Sequence, residues 1–379
     1  MRRTVLAPLA ALSILAVAAA RPVRAQEPRA HVGRTTRAWV DSTRRAWQGP
    51  GLRPLRTTIW YPTDDSVRSV DWLRGPPDTP FFRLGASTPG APIARAAHRY
   101  PLIAVSHGNG GSAGMLGWLG ETLASAGYVV VGIDHHGNTS TEAEHAAAGF
   151  TLWWERATDV SVVIDRMLAD SAFGPRIGPS AIGVAGFALG GHTAMALAGA
   201  RTSVATWKAF CRSAARTADD GFCEPQPEFP DAAQAFEKVR GDSVVAASLA
   251  RESSSFRDAR VRAVYLIAPL ARMFTEASLR TVRLPVRIVV GSADHTAPAA
   301  TNGKFLAARL SNARLRLVSG AGHYTFVGEC EPAGAANFPE LCHELPQVDR
   351  GAMHRLVADD AVRFFDRVLA RARGRAPVR

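Results

Sequence analysis

Short, mostly apolar runs punctuate this chain, and segments of helical length lie between them. The runs are Leu55 to Tyr61, Leu102 to Ser106, Val129 to Ile133, Ile182 to Ala185, Val261 to Ile267, Val286 to Val290 and Leu315 to Val318. Continuous rather than alternating apolar character marks strands buried on both faces. The intervening segments Met115 to Ala126, Glu155 to Ala169, Leu189 to Ala200, Ala299 to Leu310 and Asp349 to Arg371 read as helices. Strands alternating with helices predict an α/β fold, a mostly parallel central sheet covered on both faces. With 379 residues, 47% of them hydrophobic and 21% charged, the chain can build such a core, which excludes disorder as its dominant state.

One connection is too long for this plan. Between Ala200 and Val261 lie about 60 residues, well beyond an ordinary link, and residues 201–260 are expected to form a cap or lid insertion.

The charge of +12, from 45 basic and 33 acidic residues, first suggests a polyanionic partner. Nearly all the basic residues are arginines scattered along the chain, and the lysines are Lys208, Lys238 and Lys304 alone. That distribution is a composition bias rather than a stripe, so no nucleic-acid partner is expected. Arg2 and Arg3 precede an apolar run from Val5 to Ala20 and a small-residue site, Val23-Arg24-Ala25. Residues 1–25 therefore read as a secretory signal peptide, with 26–379 as the mature domain. Ordinary secretion is the first reading, a twin-arginine route or an uncleaved anchor the alternatives. No later apolar stretch reaches the length of a membrane span, and the protein is expected outside the cytoplasm, secreted or periplasmic.

Export bears on the cysteines. Cys211 and Cys223 are 12 apart, as are Cys330 and Cys342, and two local disulfides are the economical pairing in an oxidising compartment. A zinc site, with His343 beside Cys342, is the alternative, but no C-x-x-C pair is present.

Three sites carry chemistry. Ser106-His107-Gly108-Asn109-Gly110-Gly111 follows a buried strand, and its glycines let backbone N–H groups approach an anion. Gly186-Phe187-Ala188-Leu189-Gly190 joins a strand to a helix in the G-x-S-x-G pattern of a nucleophile elbow, but with Ala188 at the centre. Downstream, Asp294 follows one strand and His323 the next, in the chain order nucleophile, acid, histidine.

These motifs, together with Ile59-Trp60-Tyr61-Pro62, Asp134-His135-His136-Gly137-Asn138-Thr139 and the segment Glu155-Arg156 to Asp159, resemble the α/β-hydrolase family from about Arg53 to Val327. The likeness is to its secreted bacterial branch of dienelactone-hydrolase-like and platelet-activating-factor-acetylhydrolase-like enzymes. The resemblance implies hydrolysis of a small carboxyl-ester or acyl substrate without metal or cofactor. His323 would be the general base and Asp294 its orienting carboxylate, with the N–H groups of Leu189 and of Gly108, Asn109 and Gly110 as oxyanion hole.

The departure is Ala188, where the family carries serine. Without a hydroxyl the acyl-enzyme route is closed. Either this is a serine esterase with its nucleophile knocked out, or a non-catalytic relative that binds an acyl ligand. Ser106, Ser112 and Ser292 are poor substitutes, since none sits in an elbow. Asp134, His135 and His136 are expected to line the pocket rather than hold a metal. Trp153 and Trp154 either line an acyl pocket or pack at a helix start.

Overall fold

All seven apolar runs become strands. The structure, a computed structural model, describes residues 30–66, 68–96 and 98–373; the expected signal peptide, 1–25, lies outside the described residues. Among the described residues, eleven strands are β1 (His31–Arg45), β2 (Leu52–Thr63), β3 (Val70–Arg74), β4 (Phe82–Pro89), β5 (Tyr100–Ser106), β6 (Val129–Asp134), β7 (Ile177–Phe187), β8 (Val261–Ile267), β9 (Val286–Gly291), β10 (Ala313–Val318) and β11 (Glu329–Cys330). They form one sheet in the order β10-β9-β8-β7-β5-β6-β2-β1-β4-β11, with β3 paired to β4. Pairing is parallel from β10 through β6, and β2 then joins antiparallel to both β6 and β1.

The period of two along each strand divides the core. Leu102 and Ala104 of β5 pack with Val160, Val163 and Ile164 of helix Glu155–Ala169 on one face. Ile103 and Val105 pack with Phe187, Leu119 and Phe365 on the other. Helices Gly117–Ser125 and Arg350–Arg373 cover that second face. This is the α/β-hydrolase fold.

Two expected helices are shorter than their apolar pattern. The one opening at Leu189 stops at Leu197, because Gly199 adopts a φ of 107° that turns the chain out of the helix. The one expected over Ala299–Leu310 is confined to Gly303–Ala307. Ahead of it, Asn302 Oδ1 accepts from the Ala271 N–H at 2.9 Å and Thr301 donates to Asp220 at 2.5 Å, so these side chains serve tertiary contacts before the helix begins.

Between Ala200 and β8 the chain forms short helices Val204–Cys211, Ala232–Val239 and Ser243–Leu249. Cys211–Cys223 closes a loop within this segment, and Cys330–Cys342 ties β11 to helix Pro339–Cys342. Both cysteine pairs are therefore disulfides, which leaves no thiolate for zinc. Among the described residues, no helix is long and apolar enough to cross a membrane.

Candidate active site

The junction from β7 into helix Leu189–Leu197 is built by exclusion. A Cβ on Gly186 would lie 2.0 Å from the Gly190 carbonyl oxygen, and one on Gly190 would lie 1.9 Å from that of Ser106. Only glycine fits at either position, so the two glycines of the motif are a packing requirement. Between them Ala188 is forced to φ 51°, ψ −114°. A side chain rarely adopts positive φ, and such a conformation costs on the order of 1–3 kcal/mol. The Ala188 N–H donates to Ile267 at 2.9 Å and its carbonyl accepts from Leu270 at 3.2 Å, which holds the strained residue at the sheet's carboxyl edge.

Three further pieces meet there. The His323 Nδ1–H donates to Asp294, 2.9 Å from Oδ2 and 3.1 Å from Oδ1. Asp294 Oδ1 also accepts the N–H groups of Thr296 and Ala297 at 3.0 and 2.7 Å, so the carboxylate is fixed before it orients the ring. With its proton on Nδ1, the imidazole keeps Nε2 as the basic atom. The His323 ring lies 4.9 Å from the Phe187 ring, next to Ala188. Gly108 closes the group: a methyl placed on it would be 3.4 Å from Ala188 Cβ.

A cavity of about 550 Å³ opens over loop His107–Gly111 and Phe187. Its other walls include Phe81, Phe82, Val327, Phe338 and Leu341, and Cys330–Cys342 staples the segment carrying the last two. Two charged residues interrupt the apolar lining, Arg74 from β3 and Glu228 from the segment between Ala200 and β8. Burial pushes the Glu228 carboxyl above its ordinary range, opposed by Asn109 and the nearby His323. Neither residue carries a motif, and only the folded chain identifies them.

Several expectations change. The Gly110 N–H donates to Asn138 Oδ1 at 2.6 Å, so it is taken up and cannot serve an oxyanion. Leu189 opens its helix, and its N–H has no partner within that helix. Asp134, His135 and His136 do not line the cavity. Asp134 accepts from the Ala113 N–H at 2.7 Å, His136 bonds Glu142 at 2.8 Å, and His135 turns under the sheet to Ser106 and Asp159. Trp153 packs on Trp207 and Phe222, while Trp154 donates to Ser248, so both anchor the 201–260 segment. Ser292 accepts from the Gly320 N–H at 2.9 Å, away from any elbow.

A strained elbow at the carboxyl edge of a mostly parallel sheet, beside a fixed His-Asp pair, defines an α/β-hydrolase. The serine aminopeptidase S33 family matches the chain over residues 97–331, and the chain belongs to that family. Cutinase est2 of Thermobifida alba is 35% identical over 109 residues, which are 28% of this chain and 33% of the relative. Cutinase est1 of the same organism is 34% identical over 124 residues, 31% of this chain and 38% of the relative. The chain thus spans little more than a third of the length of these relatives. In structure it is similar to a ferulic acid esterase from Streptomyces cinnamoneus, with a TM-score of 0.59, 20% identity and coverage of 94% and 96% of the two chains, which shows a shared fold.

Proposed function

We propose that this chain is a carboxyl-ester hydrolase scaffold whose nucleophile position is occupied by Ala188, so that it binds acyl esters and turns them over at no more than a residual rate. The observation that carries the reading is Ala188 at φ 51°, held beside the His323–Asp294 pair. Backbone strain of this kind has its use in presenting a nucleophile, and a methyl group gains nothing from it.

With serine at 188, the hydroxyl would attack the acyl carbon as His323 Nε2 takes its proton, forming the Oγ–acyl bond. The alkoxide would leave with that proton, and water would then release the acid by the same base. Loss of such a nucleophile costs about a million-fold in turnover, and the anion donors and binding alone leave about 10³ over water. Residues 201–260 act as the lid, bringing Glu228 over the cavity. The resemblance of the motifs to the dienelactone-hydrolase-like and platelet-activating-factor-acetylhydrolase-like branch supports an acyl-ester substrate, and the two disulfides support a site of action outside the cytoplasm.

The test is Ala188→Ser. Turnover of a short-chain nitrophenyl ester is expected to rise by about 10³-fold or more, with a fluorophosphonate probe labelling position 188. A thermal shift by a short-chain ester in both forms separates binding from catalysis. Ala188→Ser protein that folds yet neither hydrolyses ester nor takes the probe would end the esterase reading.

A further inference from the structure

The loop over Ala188 is held from beneath by a buried cation. Arg156, on helix Glu155–Ala169, is 2% exposed, and its guanidinium donates to backbone carbonyls of the site. Nη1 bonds the His107 carbonyl at 2.8 Å, and Nη2 reaches those of Gly108 at 3.3 Å and Asn138 at 3.4 Å. A second donor meets the Gly108 carbonyl: His107 Nδ1–H, at 2.6 Å. The tautomer follows from the other ring nitrogen, because His107 Nε2 accepts the His135 N–H at 3.1 Å, leaving the proton on Nδ1.

Peptide geometry converts this into a direction. All described peptide bonds are trans, and in a trans peptide the N–H points opposite to the C=O. Two successive carbonyls turned onto Arg156 therefore turn the N–H groups of Gly108 and Asn109 away from it, toward the side where Gly108 abuts Ala188. A charged donor on a carbonyl also polarises its peptide and strengthens the attached N–H as a donor.

We propose that Arg156 is the positioning residue of this site, fixing the Gly108–Asn109 peptide so that the Asn109 N–H, with that of Leu189, receives the oxyanion. The proposal rests on the ester-hydrolase reading and adds which donors act and what aims them. Lysine cannot replace the fork, since one ammonium group does not hold the same set of carbonyls in a planar array.

The experiment has two arms. In the Ala188→Ser protein, Arg156→Lys is expected to lower kcat by about 10- to 100-fold with KM changed less than about threefold, and to weaken an alkylboronic acid by the same factor as kcat. Where Arg156→Lys does not fold, His107→Leu removes the other donor to the same carbonyl and carries the same expectation. In the unaltered chain, titration with butylphosphonate is expected to move the amide resonances of Asn109 and Leu189 and to leave that of Gly110 in place. A kcat within threefold of the parent, or a shift at Gly110 without one at Asn109, overturns the proposal. Inactive Ala188→Ser protein with the expected amide shifts would instead overturn the esterase reading and leave the donor assignment standing.

Discussion

Two His-Asp pairs lie on opposite faces of the sheet, one beside Ala188 and one beside Ser106, and each lacks what the other has. On the cavity face the His323–Asp294 pair, the elbow and the loop His107–Gly111 are in place, but position 188 has no hydroxyl. On the face of helix Glu155–Ala169 the hydrogen bonds are complete: Ser106 Oγ lies 2.8 Å from His135 Nε2, and His135 Nδ1 lies 3.0 Å from Asp159 Oδ2. By distances alone the second is the better triad. Yet Ser106 is paired within a regular strand, shares the face of Leu102 and Ala104, and is 3% exposed, with His135 and Asp159 at 0%. Burial and the Arg156 charge pull His135 down to about 4, too weak a base near neutral pH. Triad geometry is thus cheap inside a protein. Exposure does not separate them, since Ala188, Asp294 and His323 are 4%, 4% and 6% exposed; a strained presentation beside a cavity-lining loop does.

The same substitution in the two frameworks should give opposite readouts. In the Ala188→Ser background, Asp294→Asn is expected to cut kcat by about 10⁴-fold and to move Tm little, since it spoils the tautomer of His323. Asp159→Asn is expected to cost about 3–5 kcal/mol of stability. Asp159 is fully buried and takes Arg53 at 2.6 and 2.9 Å and Arg44 at 2.5 Å, so neutralising it strands the Arg53 guanidinium, while Arg44 keeps Asp41 and Glu155. Burial works against its charge, but the two arginines and His135 hold its carboxyl well below the usual carboxylate range. Denaturant melts beside ester kinetics separate the outcomes. Large turnover loss with unchanged stability at Asp159 would reverse the two roles.

A pH measurement sharpens the contrast. His135 is held neutral, with a folded value of about 4 against about 6.5 unfolded. Between these values the unfolded chain binds the extra proton, so stability falls as pH falls, by about 3 kcal/mol from pH 7 to pH 4 for this residue. His135→Gln should remove that share of the slope from urea-derived stabilities. An unchanged slope would mean that His135 is not the neutral centre of the buried framework.

How much of this was legible in the sequence follows from where each residue sits. Strands β5 through β10 announced themselves because burial on both faces demands continuous apolar side chains. β1 did not, because polar residues such as Arg34, Thr35, Thr36 and Arg37 run along a ribbon that is largely half-buried or exposed. The hairpin of β3 and β4 hid for the same reason, and with it went Arg74 in the cavity wall. Asp294, His323 and the elbow glycines were readable because each sits at or just past the carboxyl end of a strand. His135 reads in sequence as a pocket residue, since spacing along a turn does not encode which way a ring points. Arg156 and Asp159 were visible only as a fragment of a family motif. Charged residues on a helix are ordinarily solvated, and the pairing of Asp159 with Arg53 spans 106 residues that only the fold brings together.

The smallest effect expected is at Ser106, and it decides whether the buried framework does chemistry. Ser106→Ala removes one neutral hydrogen bond to His135 and leaves a buried ring nitrogen without its partner. A cost of about 1–3 kcal/mol in stability is expected, with no loss of the residual ester hydrolysis of the chain carrying Ala188. Fluorophosphonate should fail to label Ser106 in folded protein, because the hydroxyl faces helix Glu155–Ala169 and the cavity lies across the sheet. Should Ser106→Ala abolish the residual activity while Tm stays within a few degrees, the serine would be a working nucleophile. The elbow would then be the relic and the buried relay the enzyme.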